Sequence, residues 1–341
     1  MIILRYLLFP FAVVYGFIMN IRNFLFDKGV LKSYSFDIPI IAVGNLSVGG
    51  TGKTPQIEYL IRLLSPMHSV ATLSRGYKRK SKGFILADVN SDVESLGDEP
   101  YQMHLKFPMV KVAVDVNRKN GIEKLLSITD KPDVILLDDA FQHRKVKAGF
   151  YILLTTYNGL FCDDFMLPTG NLREYRSGAK RADVIIITKC PIGISQTEQI
   201  AIKAKIGTSI PVYFSSIEYE NKVYNADESI PANEIKDQDK LLLTGIAKPN
   251  PFFAYLQGQN DVKLAYSDHH HYNENDIKII KEKANNKLII TTEKDYVRLK
   301  NYQLKSLFYL PIKSSFISDG NNFDKTILDY VGKSSRNSKI Y

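Results

Sequence analysis

The chain contains very little cysteine. Its 341 residues include only Cys162 and Cys190, which stand in unlike surroundings. Two unrelated cysteines exclude a disulfide framework and are typical of a protein from a reducing compartment. The sequence also lacks internal repeats and extended low-complexity segments. Its length of 341 residues predicts one large or two medium-sized folded domains.

Long hydrophobic runs are absent after the first 27 residues. Before that point, residues 6–21 carry no charge and lie between Arg5 and Arg22. This run is shorter than the roughly 20 apolar residues of a full membrane span, and no small-residue cleavage site of a signal peptide follows it. We therefore expect residues 1–27 to form a retained membrane anchor helix, which either spans briefly or lies in the interface, with a buried core helix as the alternative.

Negative charge is in deficit. The chain has 45 Lys and Arg residues against 36 Asp and Glu residues, which gives a net charge of +9. This balance favours an anionic partner such as a nucleotide, a nucleic acid or an anionic lipid surface, although a lysine-rich proteome would produce it too.

The most informative feature that is present is a glycine-rich segment, Ser47-Val48-Gly49-Gly50-Thr51-Gly52-Lys53-Thr54. An apolar run precedes it and a helix-compatible run follows it, and this order predicts a phosphate-binding loop at a helix N-terminus. Lys53 would reach the outer phosphates, and the Thr54 hydroxyl would ligate Mg²⁺. The strict pattern has glycine in place of Ser47, so we expect the Gly49-Gly50 pair to shape the loop; a glycine-rich hairpin is the alternative.

Apolar strand-like runs alternate with amphipathic stretches over residues 28–210. Such strands predict an α/β fold with a parallel sheet covered by helices on both faces, in which ligands gather at the carboxyl ends of the strands. The predicted strands are residues 38–43, 70–74, 110–114, 134–138, 151–154 and 184–188, and the clearest helices are residues 56–64 and 118–126.

Beyond residue 210 the pattern changes. Residues 212–219 and 222–224, separated by Glu220-Asn221, predict a two-stranded ribbon. Further strands are predicted at residues 241–244, 288–292 and 307–310. We therefore predict a second, smaller α/β domain over residues 211–335, which the ribbon joins to the phosphate-loop domain.

Two acidic segments are candidates for chemistry. The apolar run 134–138 leads into Asp138-Asp139, and a strand-terminal aspartate beside a phosphate loop is a common Mg²⁺ ligand. A helix N-cap is the alternative for one of the two. Asp98, in a Gly-Asp-Glu-Pro turn, would be the base that orients an attacking hydroxyl, or it would cap a helix.

Histidine and arginine supply further candidates. Half of the six histidines lie in the run Asp268-His269-His270-His271, which we interpret as containing a histidine that works with a carboxylate; a zinc site and a functionless surface run are the alternatives. Residues 291–295, Thr-Thr-Glu-Lys-Asp, weakly resemble the base-recognition turn of some GTPases, although the expected Asn is absent. The arginines suited to bidentate phosphate contacts are Arg75, Arg118 and Arg173.

Seven segments occur in an order that resembles one family: VGNLSVGGTGKTP, LSRGY, GDEP, DDAFQH, LPTGNLRE, SDHHHY and TTEKD. Together with the apolar amino terminus, and up to about residue 299, they resemble tetraacyldisaccharide 4′-kinase, the lipid A kinase of Gram-negative bacteria. The resemblance implies an enzyme at the cytoplasmic face of the inner membrane. With ATP and Mg²⁺ it would phosphorylate the 4′-hydroxyl of a tetraacylated disaccharide 1-phosphate, giving lipid IVA. We expect this lipid and the membrane surface as partners, no nucleic acid, and a monomer.

The resemblance also assigns residues. The phosphate loop falls on residues 47–54, with Lys53 taking part in catalysis. The catalytic aspartate falls on Asp98, and the histidine that assists it falls on His269. The magnesium-linked residues are Thr54, Asp138 and Asp139, and those near the substrates are Arg75, Arg118, Gln142, His143 and Arg173. Differences in local loop shape are expected where the chain departs from the family pattern, at Ala140, Asn171 and Tyr175.

Two other classes of protein remain as alternatives. A GTP-dependent switch or metallochaperone shares the Gly-Gly-x-Gly-Lys-Thr loop, and the histidine run would then deliver a metal. A membrane-associated scaffold that binds nucleotide without catalysis is the second. Hydrolysis of GTP without a lipid acceptor would favour the first, and tight ATP binding without labelling of any lipid would favour the second.

Overall fold

The structure is a computed structural model that describes Arg5, residues 7–268 and residues 270–337. It begins with a long apolar helix, α1 (Phe9–Asp27). Among the described residues this is the one helix that is long and apolar enough to cross a bilayer. Its most apolar stretch has a mean hydropathy of 1.3, and 17% of that stretch is buried inside the protein. Pro10 lies in its first turn, where the missing N–H costs no helical hydrogen bond.

The remaining elements alternate along the chain. The helices after α1 are α2 (Lys53–Leu64), α3 (Val93–Leu96), α4 (Asp98–Lys106), α5 (Arg118–Ser127), α6 (Gln196–Ile206), α7 (Ala232–Lys236), α8 (Asn250–Leu256), α9 (Glu274–Ala284), α10 (Glu293–Leu299) and α11 (Gly320–Asn337). The strands are β1 (Ile40–Asn45), β2 (Val70–Ser74), β3 (Ile85–Leu86), β4 (Lys111–Val114), β5 (Val134–Asp138), β6 (Phe150–Thr156), β7 (Val184–Thr188), β8 (Val212–Tyr219), β9 (Lys222–Tyr224), β10 (Ser229–Pro231), β11 (Lys240–Thr244), β12 (Val262–Ala265), β13 (Leu288–Thr292), β14 (Leu307–Leu310) and β15 (Ile312–Ser318).

The larger sheet has nine strands in the order β15-β8-β7-β6-β1-β5-β2-β4-β3. The strands from β8 to β4 pair in parallel, and β15 and β3 add antiparallel edges. Every residue of β1 and β7 is buried, because helices cover both faces of the sheet. The predicted parallel sheet is confirmed, with strand ends that differ from the prediction by two residues at most.

The smaller sheet has six strands in the order β10-β9-β14-β13-β11-β12. Its four adjacent strands β14, β13, β11 and β12 pair in parallel, whereas β9 and β10 are antiparallel to their neighbours. This is the second, smaller α/β sheet that the sequence predicts.

A two-stranded ribbon connects the two sheets, but its second strand differs from the predicted one. β8 pairs antiparallel with β15, from Tyr219 opposite Ile312 to Ser215 opposite Phe316. The predicted pairing of residues 212–219 with residues 222–224 is wrong. The Glu220 N–H donates to the Pro311 carbonyl, so the chain continues into the smaller sheet, where β9 finds its partners in β10 and β14.

The carboxyl-terminal residues return to the larger sheet. Phe323, Ile327 and Val331 of α11 are buried in the same apolar core as Ile41 and Val43 of β1. We therefore propose to replace the predicted boundaries 28–210 and 211–335 by a larger unit of residues 28–219 and 312–337 and a smaller unit of residues 220–310.

Candidate active site

The phosphate-binding segment lies between β1 and α2, at the carboxyl edge of the larger sheet. Gly49 (φ +112) and Gly52 (φ +86) have backbone conformations that side chains disfavour, so these two glycines, rather than the Gly49-Gly50 pair, shape the loop. Asn45 at the end of β1 donates to the Thr51 hydroxyl at 2.9 Å. Lys53 and Thr54 open the first turn of α2.

Neighbouring segments hold this loop from both sides. The Thr188 hydroxyl at the end of β7 donates to the Thr51 carbonyl at 2.7 Å. On the other side, the Val48 N–H donates to the Asn171 carbonyl at 2.8 Å, and Ser47 forms a β-bridge with Leu172. The loop conformation is therefore set by the surrounding chain as well as by its glycines.

Asp139 connects the phosphate loop to Arg173. Lys53 Nζ lies 3.4 Å from Asp139 Oδ1, and Arg173 Nη1 donates to both carboxylate oxygens at 3.0 Å. Burial acts to raise the pKa of Asp139, but Lys53 and Arg173 outweigh burial and lower the pKa below its ordinary value. One ionised carboxylate thus contacts two cations at the start of the helix that follows the glycine-rich loop.

Asp138 is the more deeply buried of the pair. Its Oδ1 has no hydrogen-bond partner among the described residues. Burial, and then the charge of Glu99, raise the pKa of Asp138 to about 7, while Lys53 acts in the opposite direction. A buried carboxylate oxygen without a donor, near a second carboxylate, suits a hard divalent cation. Sequence reasoning missed Glu99, whose one signal was its place beside Asp98.

The described residues form no complete protein site for a metal. No group of three or more His, Cys, Asp or Glu side chains with metal-binding geometry occurs in the part of the chain that the structure describes. This does not conflict with Mg²⁺, which usually takes one or two carboxylates and completes its shell with phosphate oxygens and water.

Arg118 lies under Asp138. It is 2% exposed, and its guanidinium donates to the Asp115 carbonyl at 2.6 Å and to the Asp138 carbonyl at 3.1 Å. Burial lowers the pKa of Arg118 to about 10, so it stays charged at neutral pH. Arg118, which the sequence offers as a candidate for bidentate phosphate contacts, is thus a buried cation whose guanidinium supports the end of β5.

His143 lies among cations. Burial, followed by Arg118, Arg22, Lys145 and Arg75, lowers the pKa of His143 to about 4. Its Nε2 is buried and has no partner among the described residues. Arg75, Arg118 and His143 therefore lie close enough to interact electrostatically, and together they form a positively charged region that would favour an anion.

Gln142 and α1 form hydrogen bonds with residues beside the phosphate loop. Gln142 Nε2 donates to the Asn45 carbonyl at 2.8 Å and to Glu174 Oε1 at 2.9 Å. From α1, Arg22 donates to the Gln142 carbonyl at 2.9 Å and Asn23 donates to Glu174 Oε2 at 2.8 Å. The apolar helix is thus attached directly to residues that adjoin the phosphate loop.

Asp98 lies where the two sheet units meet. It is the first residue of α4, whose N-cap is Gly97, so the alternative of an N-cap at Asp98 is excluded. Its carboxylate forms an ion pair with Arg298 of α10, with a 3.1 Å hydrogen bond from Nε. Arg298 also donates to the His270 carbonyl at 3.4 Å. The sequence carried no signal for Arg298 beyond a basic residue on a helix.

The histidine run is only partly described. His269 lies outside the described residues, so its assisting role stays a prediction. His270 Nε2 lies 2.9 Å from Asp276 Oδ2, and its ring stacks on Tyr266 at 4.5 Å. Asp276 belongs to the capping box of α9, so His270 contacts the N-terminus of that helix.

Residues 291–295 do not form a base-recognition turn. Asp295 is fully buried, and its carboxylate accepts hydrogen bonds from the Gly245 N–H at 2.9 Å and from the Thr292 hydroxyl at 2.7 Å. The hydroxyls of Thr244 and Tyr272 donate to it as well. All of its acceptor capacity is used inside the smaller unit, so the interpretation as a nucleotide reader is wrong.

Comparison with known proteins places the chain in a family. The family model described as Tetraacyldisaccharide-1-P 4′-kinase matches residues 4–332. The chain is 64% identical to the tetraacyldisaccharide 4′-kinase of Flavobacterium johnsoniae, over 96% of this chain and 98% of that protein. It is 46% identical to the tetraacyldisaccharide 4′-kinase of Bacteroides thetaiotaomicron, over 98% of this chain and 95% of that protein.

A solved structure agrees with these relatives. The "apo" form of LpxK from Aquifex aeolicus in complex with ATP has a TM-score of 0.80 and 32% identity to the chain, over 96% of this chain and 99% of that one. The fold of the whole chain is therefore that of an ATP-binding relative. The chain belongs to the tetraacyldisaccharide-1-P 4′-kinase family.

Proposed function

We propose that this chain transfers the γ-phosphoryl group of ATP to the 4′-hydroxyl of tetraacyldisaccharide 1-phosphate, giving lipid IVA for lipid A biosynthesis. The proposal rests on the position of Lys53 in a chain that belongs to this kinase family. Lys53 lies in the phosphate loop, and its Nζ is 3.4 Å from Asp139 Oδ1. A phosphate loop beside strand-terminal carboxylates is the arrangement that phosphoryl transfer requires.

The nucleotide end of the site has defined roles. Backbone N–H groups of residues 47–54 surround the phosphates, and Lys53 offsets the charge that develops on the transferred group. Mg²⁺ fits beside them because Asp138 Oδ1 is buried without a donor among the described residues. When bound, the cation shields the β- and γ-phosphates, and Thr54, Asp138 and Asp139 are the residues that would hold it.

The acceptor end of the site contains the base and the cations. Asp98 accepts the proton of the 4′-hydroxyl. The hydroxyl oxygen forms a bond to the γ-phosphorus while the bond between that phosphorus and the ADP oxygen breaks. Arg298 holds the Asp98 carboxylate at this junction, and His269 assists it. The positively charged region of Arg75 and His143, together with the charge of the buried Arg118 and with Gln142 and Arg173 beside it, receives the phosphorylated sugar.

The lipid acceptor explains the amino-terminal helix. Ala12, Gly16 and Phe26 of α1 are buried against the protein, whereas Phe11, Val14, Phe17, Ile18, Ile21 and Phe24 are exposed large hydrophobics on its other side. One face of α1 contacts the protein along its length, so we place the helix in the membrane interface, on the cytoplasmic side of the inner membrane, with its apolar face in lipid. The chain acts there as a monomer.

Transfer of labelled phosphate tests the proposal. Membranes that contain the protein are incubated with [γ-³²P]ATP and the disaccharide 1-phosphate, and the lipids are separated by thin-layer chromatography. We expect a labelled product with the wild-type chain and loss of that product in Lys53→Ala. Lys131→Ala is the matched control, because Lys131 is exposed at the opposite end of β5.

Three results would contradict the proposal. Absence of labelled lipid despite tight ATP binding would indicate a scaffold that binds nucleotide without catalysis. GTP hydrolysis without a lipid acceptor would indicate a GTP-dependent switch protein. Retention of label in Lys53→Ala would assign the activity to another protein in the membranes.

A further inference from the structure

Lys106, the last residue of α4, joins three helices where the two units meet. Its Nζ lies 2.8 Å from Glu58 Oε2 of α2 and 2.5 Å from Glu293 Oε1 of α10. The three side chains are largely shielded from water, with exposed fractions of 15% for Lys106, 2% for Glu58 and 7% for Glu293. The helix of the phosphate loop, the helix that begins at Asp98 and a helix of the smaller unit therefore meet at one ammonium group.

Stability alone does not account for a buried charge cluster of this kind. Replacement of buried ion pairs by apolar side chains of similar volume is often neutral or stabilising, because removal of the charges from water costs free energy. The Glu58 carboxylate also accepts hydrogen bonds from Gln102 Nε2 of α4 at 3.2 Å and from Arg62 Nη2 of α2 at 3.1 Å. A satisfied polar network of this type makes one arrangement of the surrounding helices more favourable than others.

The ends of α4 are both joined to α10. Asp98, its first residue, pairs with Arg298, and Lys106, its last residue, pairs with Glu293. Because α4 has nine residues, the two contacts are about 12 Å apart along the helix axis. A single contact would let the helix pivot, whereas two separate contacts fix its direction, and this direction decides where the Asp98 carboxylate points.

Lys106 also connects the helix of Asp98 to the start of α2. Lys53 is the first residue of α2, and Glu58 follows five residues later, about 8 Å further along the axis. Phosphoryl transfer requires the base and the phosphate-binding lysine to keep a fixed separation, and a misplacement of about 1 Å can lower a rate about 10²-fold. The contact between Glu58 and Lys106 lies where it would keep this separation.

We propose that Lys106 is a positioning residue for phosphoryl transfer, which fixes the direction of α4 between α2 and α10 and so the position of Asp98 relative to Lys53. The inference rests on the proposed function, because Asp98 must act as the base for the sugar hydroxyl. Lys106 acts through Glu58 and Glu293 and not on the reacting groups themselves.

Steady-state kinetics of Lys106→Met test the proposal on the full chain. The variant keeps the apolar stem and removes the charge, so we expect kcat to fall at least fivefold. The KM values for ATP and for the lipid should stay within twofold of the wild type, because Thr188 and Asn171 still hold the phosphate loop. Lys106→Arg keeps a cation and should recover most of kcat.

Lys111→Met is the matched control. Lys111 is equally shielded, with 18% of its side chain exposed, and its Nζ lies 2.7 Å from Asp130 Oδ2. Both residues belong to the larger unit, so loss of this contact should leave kcat within twofold of the wild type.

A triple variant separates positioning from stability. Lys106→Met leaves two buried carboxylates without their cation and should lower the denaturation midpoint. Lys106→Met/Glu58→Gln/Glu293→Gln removes the three charges together, and it carries the test if the single variant does not fold. We expect its midpoint to return toward that of the wild type while kcat stays at least fivefold low. Recovery of kcat together with the midpoint would show that Lys106 only stabilises the fold, and would overturn the proposal.

The two proposals fail in different ways. Normal labelling of the lipid by the wild type, with kcat in a folded Lys106→Met within twofold of the wild-type value, removes the positioning role and leaves the kinase. A rise in KM for ATP without a fall in kcat also removes the positioning role. No labelling of the lipid by the wild type removes both.

Discussion

Asp139 and Asp295 show how similar sequence patterns lead to different roles in the two sheets. Each follows an apolar parallel strand at its carboxyl end, β5 in the larger sheet and β13 in the smaller one. The side chain of Asp139 is 39% exposed and is shared by Lys53 and Arg173, both of which can turn to a phosphate. Asp295 is fully buried among hydroxyl and backbone donors. The identity of the donors, rather than the aspartate itself, separates a reaction site from a structural centre.

The largest effect that we expect from this comparison is the loss of catalysis in Asp139→Ala. Removal of the carboxylate frees Lys53 and Arg173 and takes away a candidate magnesium ligand, so kcat should fall by about 10²–10³. The melting temperature should change little, because the side chain is partly exposed. Steady-state kinetics and thermal denaturation check both. A kcat within threefold of that of Asp130→Ala, a control whose side chain is 86% exposed, would contradict this role.

Asp295→Asn should have the opposite result, with a loss of stability and little change in catalysis. The amide has one acceptor oxygen and an NH₂ group that would face existing donors, so the free energy of unfolding should fall by about 3 kcal/mol. Denaturant titration measures this loss, and kcat per folded molecule should stay within a few-fold of the wild type. An unchanged unfolding midpoint would show that the buried hydrogen bonds contribute no net stability.

Arg298→Met would break the contact between the two units at Asp98. We expect kcat to fall about tenfold, because the base loses the cation that holds it. The acid limb of the kcat profile should move to higher pH, since a carboxylate without its cationic neighbour keeps its proton more readily. Arg298→Lys should recover part of both effects. A fall in kcat without movement of the pH profile would indicate a structural role alone.

The sequence was sufficient to predict the six adjacent strands from β7 to β4 in the larger sheet, and the phosphate loop. Long apolar runs such as residues 184–188 coincide with buried strands because a strand covered on both faces must be apolar throughout. The glycine-rich loop could be predicted equally well, since backbone conformations with positive φ, such as that of Gly52, strongly favour glycine.

The sequence was insufficient where distant segments meet. Residues 212–219 have equal strand propensity whether their partner is β9 or β15, and only the packing of α11 on the larger sheet brings β15 to them. The ion pair of Asp98 and Arg298 joins residues that are 200 positions apart, and no local pattern marks it. Asp295 was misread because its sequence neighbours do not reveal the four donors around it.

The smallest effect concerns a buried charge cluster at the junction of the two sheets. Lys106 of α4 lies 2.8 Å from Glu58 of α2 and 2.5 Å from Glu293 of α10. Burial, and then the charge of Glu58, raise the pKa of Glu293 from 4.5 to about 7, while Lys106 acts in the opposite direction. The folded chain therefore holds the proton of the Glu293 carboxyl more tightly than the unfolded chain does. The stability that this protonation contributes falls as the pH rises from about 4.5 to about 7.

Glu293→Gln should remove this pH dependence, because the amide does not titrate. Between pH 5 and pH 7 we expect the wild-type free energy of unfolding to fall by about 1 kcal/mol more than that of the variant, after allowance for the favourable charge of Lys106. Denaturant titrations at several pH values measure the two slopes, with Glu94→Gln, an exposed carboxylate, as the control. Parallel slopes would show that Glu293 is ionised throughout, and would make the cluster a permanent ion pair that holds the smaller sheet unit against the helix of the phosphate loop.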